Sequence, residues 1–311
     1  MKRGVMFALI AGALWGGVIV APSLVPEFNP LLISCTRFAL YGAVSLLIAL
    51  PTASRLLKRL SRRDLIMLAR LSMAGNIVTY ALVSAAVQLT GVATASLVNG
   101  ILPVAIVCMA RSDHGSLPLQ HLRLPLLVML TGLLIINLDP TAIADAGNTP
   151  RERAMGIVCG ICAVLAWSWF ATANARYLRH SDFNSQQWST LCGIATGVLA
   201  IAIGGLGMLL FPQTIPVGIS VDRWQTFLWV CLFLAVGGSW LTGTLWNAAT
   251  RRMPMSLGGQ LIVFETLFAC VYGFALAQRF PTAMELLAIS LLTGGVAWAI
   301  RLHRSPGQPA L

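Results

Sequence analysis

The sequence predicts an all-α integral membrane protein of ten transmembrane helices, arranged as two five-helix repeats of opposite orientation. Three observations lead to this prediction. The chain is 57% hydrophobic and only 10% charged, whereas a soluble domain carries about 25% charged residues. Apolar stretches of about twenty residues, the length that crosses the hydrocarbon core of a bilayer, recur along the whole chain. Most basic residues lie in the segments between these stretches, as they do in membrane proteins.

Length, loop charge and Pro/Gly positions delimit ten predicted spans. Numbered spans 1 to 10 in chain order, they cover residues 4–22, 32–50, 65–87, 91–110, 124–138, 156–176, 186–210, 224–246, 256–277 and 283–302. The first could be taken for a secretory signal peptide, because Lys2 and Arg3 precede it. Its apolar run is long for a signal peptide and lacks a clean cleavage site, so we assign it as span 1.

The distribution of Lys and Arg predicts the orientation. An even number of spans places both termini on one side, and fifteen basic residues lie on that side against four on the other. Arg37 and Arg70 lie within spans and complete the 21 basic residues of the chain. This asymmetry predicts a multi-pass protein of a bacterial-type inner (plasma) membrane with both termini in the cytoplasm.

Short motifs recur in the same order in the two halves, at offsets of 152 to 163 residues. The matches pair residues 4–15 with 156–167, 26–29 with 181–184, 85–86 with 248–249, and 131–132 with 293–294. Five spans per half is an odd number, so the second half enters the membrane in the opposite orientation. We predict one transporter domain, 1–311, with a first repeat at 1–138, an outer linker at 139–155 and an inverted second repeat at 156–304. Inverted repeats are typical of secondary transporters, which bind substrate between the halves near the midplane.

Polar and aromatic side chains at helical spacing predict the lining of that path, because polar groups in a span avoid lipid. The predicted substrate-binding residues are Trp15, Asn76, Tyr80, Ser84, Asn99, Trp167, Asn174, Trp240, Thr244 and Gln260. Such a lining suits a zwitterionic or apolar solute better than a polyanion, since it contains no cluster of buried basic residues that could neutralise the charge of phosphate groups. The alternative is that these polar residues tie helices together. Trp188 and Trp224 lie near span ends and are expected to be interfacial anchors.

Further residues could let the bundle move or carry a proton. Pro103 is a predicted hinge because it removes a backbone hydrogen bond inside span 4. Gly237, Gly258 and Gly259 are predicted hinges in the corresponding hairpins of the two halves, with close helix packing through small residues as the alternative. Glu265 is the carboxylate placed deepest within a span, which makes it a candidate coupling site. It could instead pair with Arg37 or stay protonated. Arg37 lies near a span end, from which its side chain could extend to the interface.

Several sequence motifs together point to a known family. They are an early Trp in the first span of each half, Arg37, Leu102-Pro103-Val104 and the Thr-Gly of each closing span. With the five-plus-five layout, the whole chain resembles the drug/metabolite transporter superfamily in its EamA branch. Within that branch it is most similar to aromatic amino-acid exporters of the YddG type, which implies export of phenylalanine, tyrosine and tryptophan. It departs from the family at Glu265-Thr266, where many members have Glu-Pro, and at Ala277-Gln278, where Gly-Glu is frequent.

The predicted function is therefore a secondary transporter that exports small neutral aromatic amino acids by alternating access, uncoupled or driven by the substrate gradient. The alternative is an exporter of other small metabolites or amphipathic drugs, coupled to protons through Glu265. The expected partners are this small molecule and the lipid bilayer, with no nucleic acid and no specified oligomeric state.

We expect no enzyme activity, because HExxH, GxSxG and phosphate-binding glycine motifs are missing from the sequence. We expect no metal or cofactor, since the four histidines lie in loops or the tail and Cys159 and Cys162 have no further ligands nearby in sequence. The seven cysteines all lie in apolar runs, which indicates packing rather than a disulfide framework.

Overall fold

In the computed structural model the described residues form helices and contain no strand. Those residues are 2–25, 27–83, 85–86, 89, 98–99, 101–110, 118–137, 149–210, 216–276, 278 and 280–302. The predicted all-α membrane fold is confirmed. Of the predicted site residues, Ser84 lies outside the described residues, as does most of the predicted outer linker.

Seven helices in the described part of the chain are long and apolar enough to cross a membrane, and they correspond to spans 1, 2, 3, 6, 7, 8 and 9. Among the intact helices, span 1 is Lys2–Val20, span 2 is Pro30–Ala49, span 6 is Pro150–Arg179 and span 7 is Ser185–Leu210. Spans 5 and 10 are the helices Leu119–Asn137 and Ala283–Leu302. Span 4 is described mainly over the helix Leu102–Met109, so the count of ten stays a prediction.

Span 6 begins earlier than expected because its first turn is capped. The Thr149 hydroxyl accepts a hydrogen bond from the Glu152 backbone N–H at 3.3 Å, and the Glu152 carboxylate accepts the Thr149 backbone N–H at 2.7 Å. Pro150 occupies the first helical turn, where its missing N–H costs nothing. This capping box makes residues 150–155 helical, although we predicted them as linker.

Spans 3 and 8 each contain a π-helical turn. Span 3 runs as an α-helix over Arg62–Ser72 and as a π-helix over Met73–Val78, while span 8 runs through Val221–Ala235, the π-helix Val236–Leu241 and the α-helix Thr242–Thr250. The two π turns begin 163 positions apart, the offset that also relates residues 85–86 to 248–249. A π turn is rare and often marks a functional site.

The helices pack through small residues, as helices in lipid commonly do. Span 2 lies along span 7, span 5 along span 10, and span 1 against spans 8 and 9. Between spans 2 and 7 two glycines face each other, since a Cβ on Gly42 would lie 2.6 Å from the Cα of Gly197. This contact brings the two backbones together and leaves no room for a side chain.

The predicted hinge residues lie beside breaks in the helices. Span 9 is divided into Met255–Leu261 and Val263–Leu276, and Gly258 and Gly259 belong to the first segment. Gly259 has a packing role, because a Cβ there would lie 2.6 Å from the Ile106 side chain of span 4. Gly237 lies in the π turn of span 8. Whether these residues act as hinges stays a prediction.

Pro103 differs from our expectation. We expected it to remove a hydrogen bond inside a continuous helix, but it is the second residue of the helix Leu102–Met109, which follows a turn at Ile101. A nitrogen in the first turn has no intrahelical partner, so proline fits there without breaking the helix.

Candidate functional site

Arg37 is buried between spans 2, 3 and 8, with 7% of its surface exposed. Its Nε donates a hydrogen bond to the Ser239 hydroxyl in the π turn of span 8, at 3.2 Å. The guanidinium carbon lies 5.1 Å from the centre of the Phe38 ring and 5.7 Å from that of Tyr80, within range of cation–π attraction. The expectation that Arg37 extends to the interface is wrong, because these contacts hold its charge inside the bundle.

Glu265 lies near the break in span 9 and is partly exposed. Its backbone N–H donates to the Ile262 carbonyl at 2.9 Å, but its carboxylate has no hydrogen bond or ion pair within the described ranges. Arg37 and Glu265 belong to different spans, 2 and 9. They do not form the ion pair that the sequence suggested as an alternative, since no nitrogen–oxygen contact within 4.0 Å joins these two described residues. We refer to Arg37 and Glu265 together as the charged site.

An aromatic cluster joins spans 1, 6 and 8. The ring centres of Trp15 and Trp167 are 5.8 Å apart, and both rings contact Trp246, at 5.4 and 6.2 Å. The structure thus brings together the two tryptophans that the internal repeat aligned. Trp246 was missed in the sequence, where nothing but its position within a span pointed to it. Its indole N–H is buried and finds no partner within the described residues.

Asn174 belongs to a buried amide network of Asn174, Trp188, Ser189 and Asn247. The Trp188 indole N–H donates to the Asn174 carbonyl oxygen at 2.8 Å, and the Asn174 amide nitrogen donates to Asn247 at 2.6 Å. Asn247 in turn donates to the Ser189 hydroxyl at 2.9 Å. The anchor prediction for Trp188 is wrong, because its side chain is fully buried. Proximity to a span end did not reveal which way the ring points.

Two other predicted residues are hydrogen-bonded to span 7. Asn76, in the π turn of span 3, donates to the Thr196 hydroxyl at 2.9 Å. The Trp240 indole N–H donates to the Thr190 hydroxyl at 3.0 Å. Both bonds fit the alternative that polar residues tie helices together, and contact of either residue with substrate stays a prediction.

The remaining predicted residues differ in their surroundings. The Thr244 hydroxyl donates to the carbonyl of Trp240 in its own helix at 2.9 Å. The Tyr80 ring packs edge-on against Phe38 at 6.0 Å. Gln260 is fully buried, and both its amide atoms lack hydrogen-bond partners in the described part of the chain. Asn99 is exposed.

Basic side chains join helix ends on the side that is predicted to be cytoplasmic. Arg179 donates to the carbonyls of Thr250 and Met253, at 3.4 and 3.2 Å, and Arg251 donates to the Phe183 carbonyl at 2.7 Å. On the same side a cavity of about 740 Å³ lies between the start of span 3 and the end of span 6. It is distinct from the charged site, because its lining contains neither Arg37 nor Glu265.

An ion pair lies on the opposite side, which is predicted to face outward. Arg223 at the start of span 8 pairs with Glu27 in the loop after span 1, and its Nη2 also donates to the Leu24 carbonyl at 2.9 Å. This hydrogen bonding from Arg223 lowers the pKa of the Glu27 carboxyl below its ordinary value of 4.5. Among the described residues, no group of three or more His, Cys, Asp or Glu side chains could hold a metal ion.

Comparison with known proteins identifies a family, a curated relative and a similar fold. Residues 2–138 match the EamA-like transporter family. Over 309 residues the chain is 33% identical to Inner membrane protein YtfF of Escherichia coli (strain K12), a match that covers 97% of this chain and 96% of the relative. A solved crystal structure superposes with a TM-score of 0.77, covering 98% of each chain, and at 19% identity it supports the fold alone.

Proposed function

This chain belongs to the EamA-like transporter family of membrane proteins that carry small molecules, and from that premise we propose that it exports neutral aromatic amino acids. Export proceeds by alternating access, down the gradient of the amino acid. Its similarity to an inner membrane protein over nearly the whole length supports the inner membrane as its location.

The observation that carries the proposal is the combination of aromatic rings and two opposite charges inside the bundle. Tyr80 and Phe38 surround the Arg37 guanidinium, and the cluster of Trp15, Trp167 and Trp246 offers large apolar faces. An aromatic side chain that packs on such rings gains about 0.5–1.5 kcal/mol beyond simple burial.

Alternating access follows from two inverted repeats, residues 1–138 and 156–304, with both termini in the cytoplasm. The π turns of spans 3 and 8 support this arrangement, because they lie at the same offset as a sequence match in the same two spans. Each repeat can then adopt the conformation that the other has just left.

Uncoupled transport is supported by the isolation of Glu265. A proton pathway through a membrane protein uses chains of titratable side chains. The described parts of the spans contain no cluster of three or more acidic, His or Cys groups. The second candidate, a proton-coupled exporter of other metabolites or amphipathic drugs, is favoured by one observation, the unpartnered carboxylate of Glu265.

Flux from liposomes tests the proposal. Purified protein is reconstituted into vesicles loaded with labelled phenylalanine, tryptophan, a nucleoside or a lipophilic cation, with and without a pH gradient. We expect efflux of the two amino acids without a pH gradient, and slower efflux from Trp167→Ala. Movement of the cation or the nucleoside alone, or movement that requires a pH gradient and Glu265, would replace our proposal with the second candidate.

A further inference from the structure

The cavity on the side that is predicted to be cytoplasmic has a basic and aromatic lining. It measures about 740 Å³ and lies between the start of span 3, the end of span 6 and the turn that leads to span 7. Three arginines, Arg59, Arg63 and Arg176, line it together with two aspartates. The rings of Tyr177 and Phe183 form part of its wall. Arginines therefore outnumber carboxylates in a concave space at the ends of the helices.

Aromatic rings support two of these arginines. The guanidinium carbon of Arg59 lies 4.9 Å from the centre of the Phe183 ring, and that of Arg63 lies 5.8 Å from the centre of the Tyr177 ring. Both distances are within the range of cation–π attraction. The Tyr177 ring is itself held in place, because it stacks on the buried ring of Trp188 at 5.0 Å. The two arginines thus have less freedom to lose when they bind an anion.

The carboxylates of the cavity do not neutralise these arginines. Asp64 accepts hydrogen bonds from the Ser61 backbone N–H at 2.8 Å and from the Ser61 hydroxyl at 2.6 Å, which caps the start of span 3. It also accepts one from the Tyr177 hydroxyl at 2.6 Å. No nitrogen–oxygen contact within 4.0 Å joins either lining aspartate to Arg59 or Arg63, all of which are described residues.

Most of the N–H donors of Arg59 and Arg63 are unused within the described part of the chain. A guanidinium carries five such donors. Arg59 uses its Nη2 for the backbone carbonyl of Asp182, and Arg63 makes no hydrogen bond to a described residue. Arg176 is already engaged, since its Nη2 donates to the Met109 carbonyl at 2.7 Å. Two forked sets of donors that line one cavity match the oxygens of a phosphate group.

An apolar surface leads from the cavity into the membrane. Trp169, Ala173 and Arg176 lie at i, i+4 and i+7 on span 6, a spacing that places side chains on one face of a helix. Trp169 is 39% exposed, and Ile66, one turn after Arg63 on span 3, is 42% exposed. Acyl chains attached to a phosphate in the cavity can pack along this surface, whereas a soluble phosphate compound gains nothing from it.

We propose that the cavity binds the phosphate of an anionic phospholipid from the adjacent leaflet, with Arg59 and Arg63 as its ligands. Basic pockets between transmembrane helices on the cytoplasmic side suit such headgroups. Both arginines belong to the first predicted repeat, and the rings that support them belong to the second, so the headgroup binds where the two repeats meet. The inference does not rest on the proposed function, because it concerns the lipid and not the transported molecule.

Lipid titrations of the purified full-length protein in detergent test the inference. Phosphatidylglycerol and phosphatidylcholine with identical acyl chains differ in net charge, and glycerol 3-phosphate supplies the phosphate without chains. Native mass spectrometry counts the bound lipids, and thermal unfolding follows the stabilisation. We expect phosphatidylglycerol to bind about tenfold more tightly than phosphatidylcholine, whose choline offsets the phosphate charge. Glycerol 3-phosphate should have no effect at the same concentrations.

Paired variants show whether the cavity or the positive charge of the whole surface selects the lipid. The double variant Arg59→Gln/Arg63→Gln should lower the preference for phosphatidylglycerol over phosphatidylcholine by about tenfold. Arg55→Gln/Arg62→Gln is the matched control, because it removes the same two charges from exposed positions of the same segment that do not line the cavity. The control should keep the preference.

Three results would overturn the inference. Equal binding of the two lipids by the unaltered protein would show that the cavity does not select an anionic headgroup. An equal loss in the cavity variant and in its control would assign the preference to surface charge in general. Glycerol 3-phosphate that binds as tightly as phosphatidylglycerol would replace the lipid with a soluble phosphate compound. If the double variant fails to fold, Arg63→Gln is compared with Arg62→Gln, and the same difference is expected.

Discussion

The amide network and the charged site are both polar regions inside the helix bundle, but their polar groups are used differently. In the network, Asn174 and Asn247 bond each other, Trp188 and Ser189, and all four side chains are buried. In the charged site, Glu265 has no described partner for its carboxylate. The comparison teaches that polarity within a span does not by itself identify a binding residue, because a buried polar group can be fully used in bonds between helices.

The largest effect should follow from breaking the amide network. Asn247→Ala removes the acceptor for the Asn174 amide and the donor to Ser189. Leaving these two buried groups unpaired should lower the free energy of unfolding by about 3 kcal/mol, measured by thermal or denaturant unfolding in detergent. Transport per folded molecule should stay close to that of the wild type.

Thr244→Ala is the control for that variant, because the Thr244 hydroxyl bonds only a carbonyl of its own helix. Its effect on stability should stay within about 0.5 kcal/mol. If Asn247→Ala keeps full stability and abolishes transport, the network belongs to the substrate path and the contrast between the two regions disappears.

The charged site should respond in the opposite way. Glu265→Gln removes a charge that has no described partner, so the unfolding free energy should be unchanged or slightly higher. Phenylalanine flux should fall by about tenfold, which corresponds to about 1.4 kcal/mol of binding. A loss of stability with unchanged flux would show that Glu265 is structural, and flux is to be normalised to folded protein.

A smaller effect is expected in the aromatic cluster, which lies between these extremes. Trp246 is 2% exposed and its N–H has no described partner. Trp246→Phe removes this unpaired donor but also some packed volume, and we expect the two effects to offset each other to within about 1 kcal/mol. Trp246→Ala removes the same unpaired donor but also the whole ring, so the loss of packing outweighs the relief and should cost about 2 kcal/mol. Similar unfolding temperatures for the Ala and Phe variants would contradict this explanation.

The smallest effect concerns the exposed pair of Glu27 and Arg223. Since the pKa of Glu27 is lowered in the folded state, the pair contributes stability above the ordinary pKa of 4.5, and this contribution is lost as the pH falls through the lowered value. The wild-type unfolding temperature should therefore drop more between pH 6 and strong acid than that of Glu27→Gln. Parallel pH profiles for the two proteins would show that the pair contributes nothing.

Much of the fold was predictable because a bilayer imposes span length and loop charge on the sequence. The start of span 6 was also readable, since the Thr149-x-x-Glu152 pattern is a capping box. The site was only partly predictable. Predicting which side chains share one face of a span, at 3.6 residues per turn, assumes an uninterrupted α-helix. The π turns of spans 3 and 8 change the direction of the side chains that they carry.

Ser239 illustrates this limit. It was not among the residues of span 8 that were predicted to line the path, yet it lies in the π turn and its hydroxyl accepts a hydrogen bond from Arg37. The burial of Trp188 and the position of Trp246 also depend on how helices face each other, which spacing within one helix does not encode. The repeat aligned Trp15 with Trp167, and the structure places their rings in contact, but contact of either ring with substrate stays a prediction.

The π turn of span 8 has one more consequence. A turn closed over five residues rather than four stores one extra residue within the helix. Deleting a single residue from 236–241 should therefore restore a regular α-helix. The helical segments on either side of the π turn would keep their present rotational orientation about the helix axis. Elsewhere in the span, such a deletion would rotate everything beyond it by about 100°. Natural length variation in this family is thus expected to be tolerated at this position and rejected a few residues away.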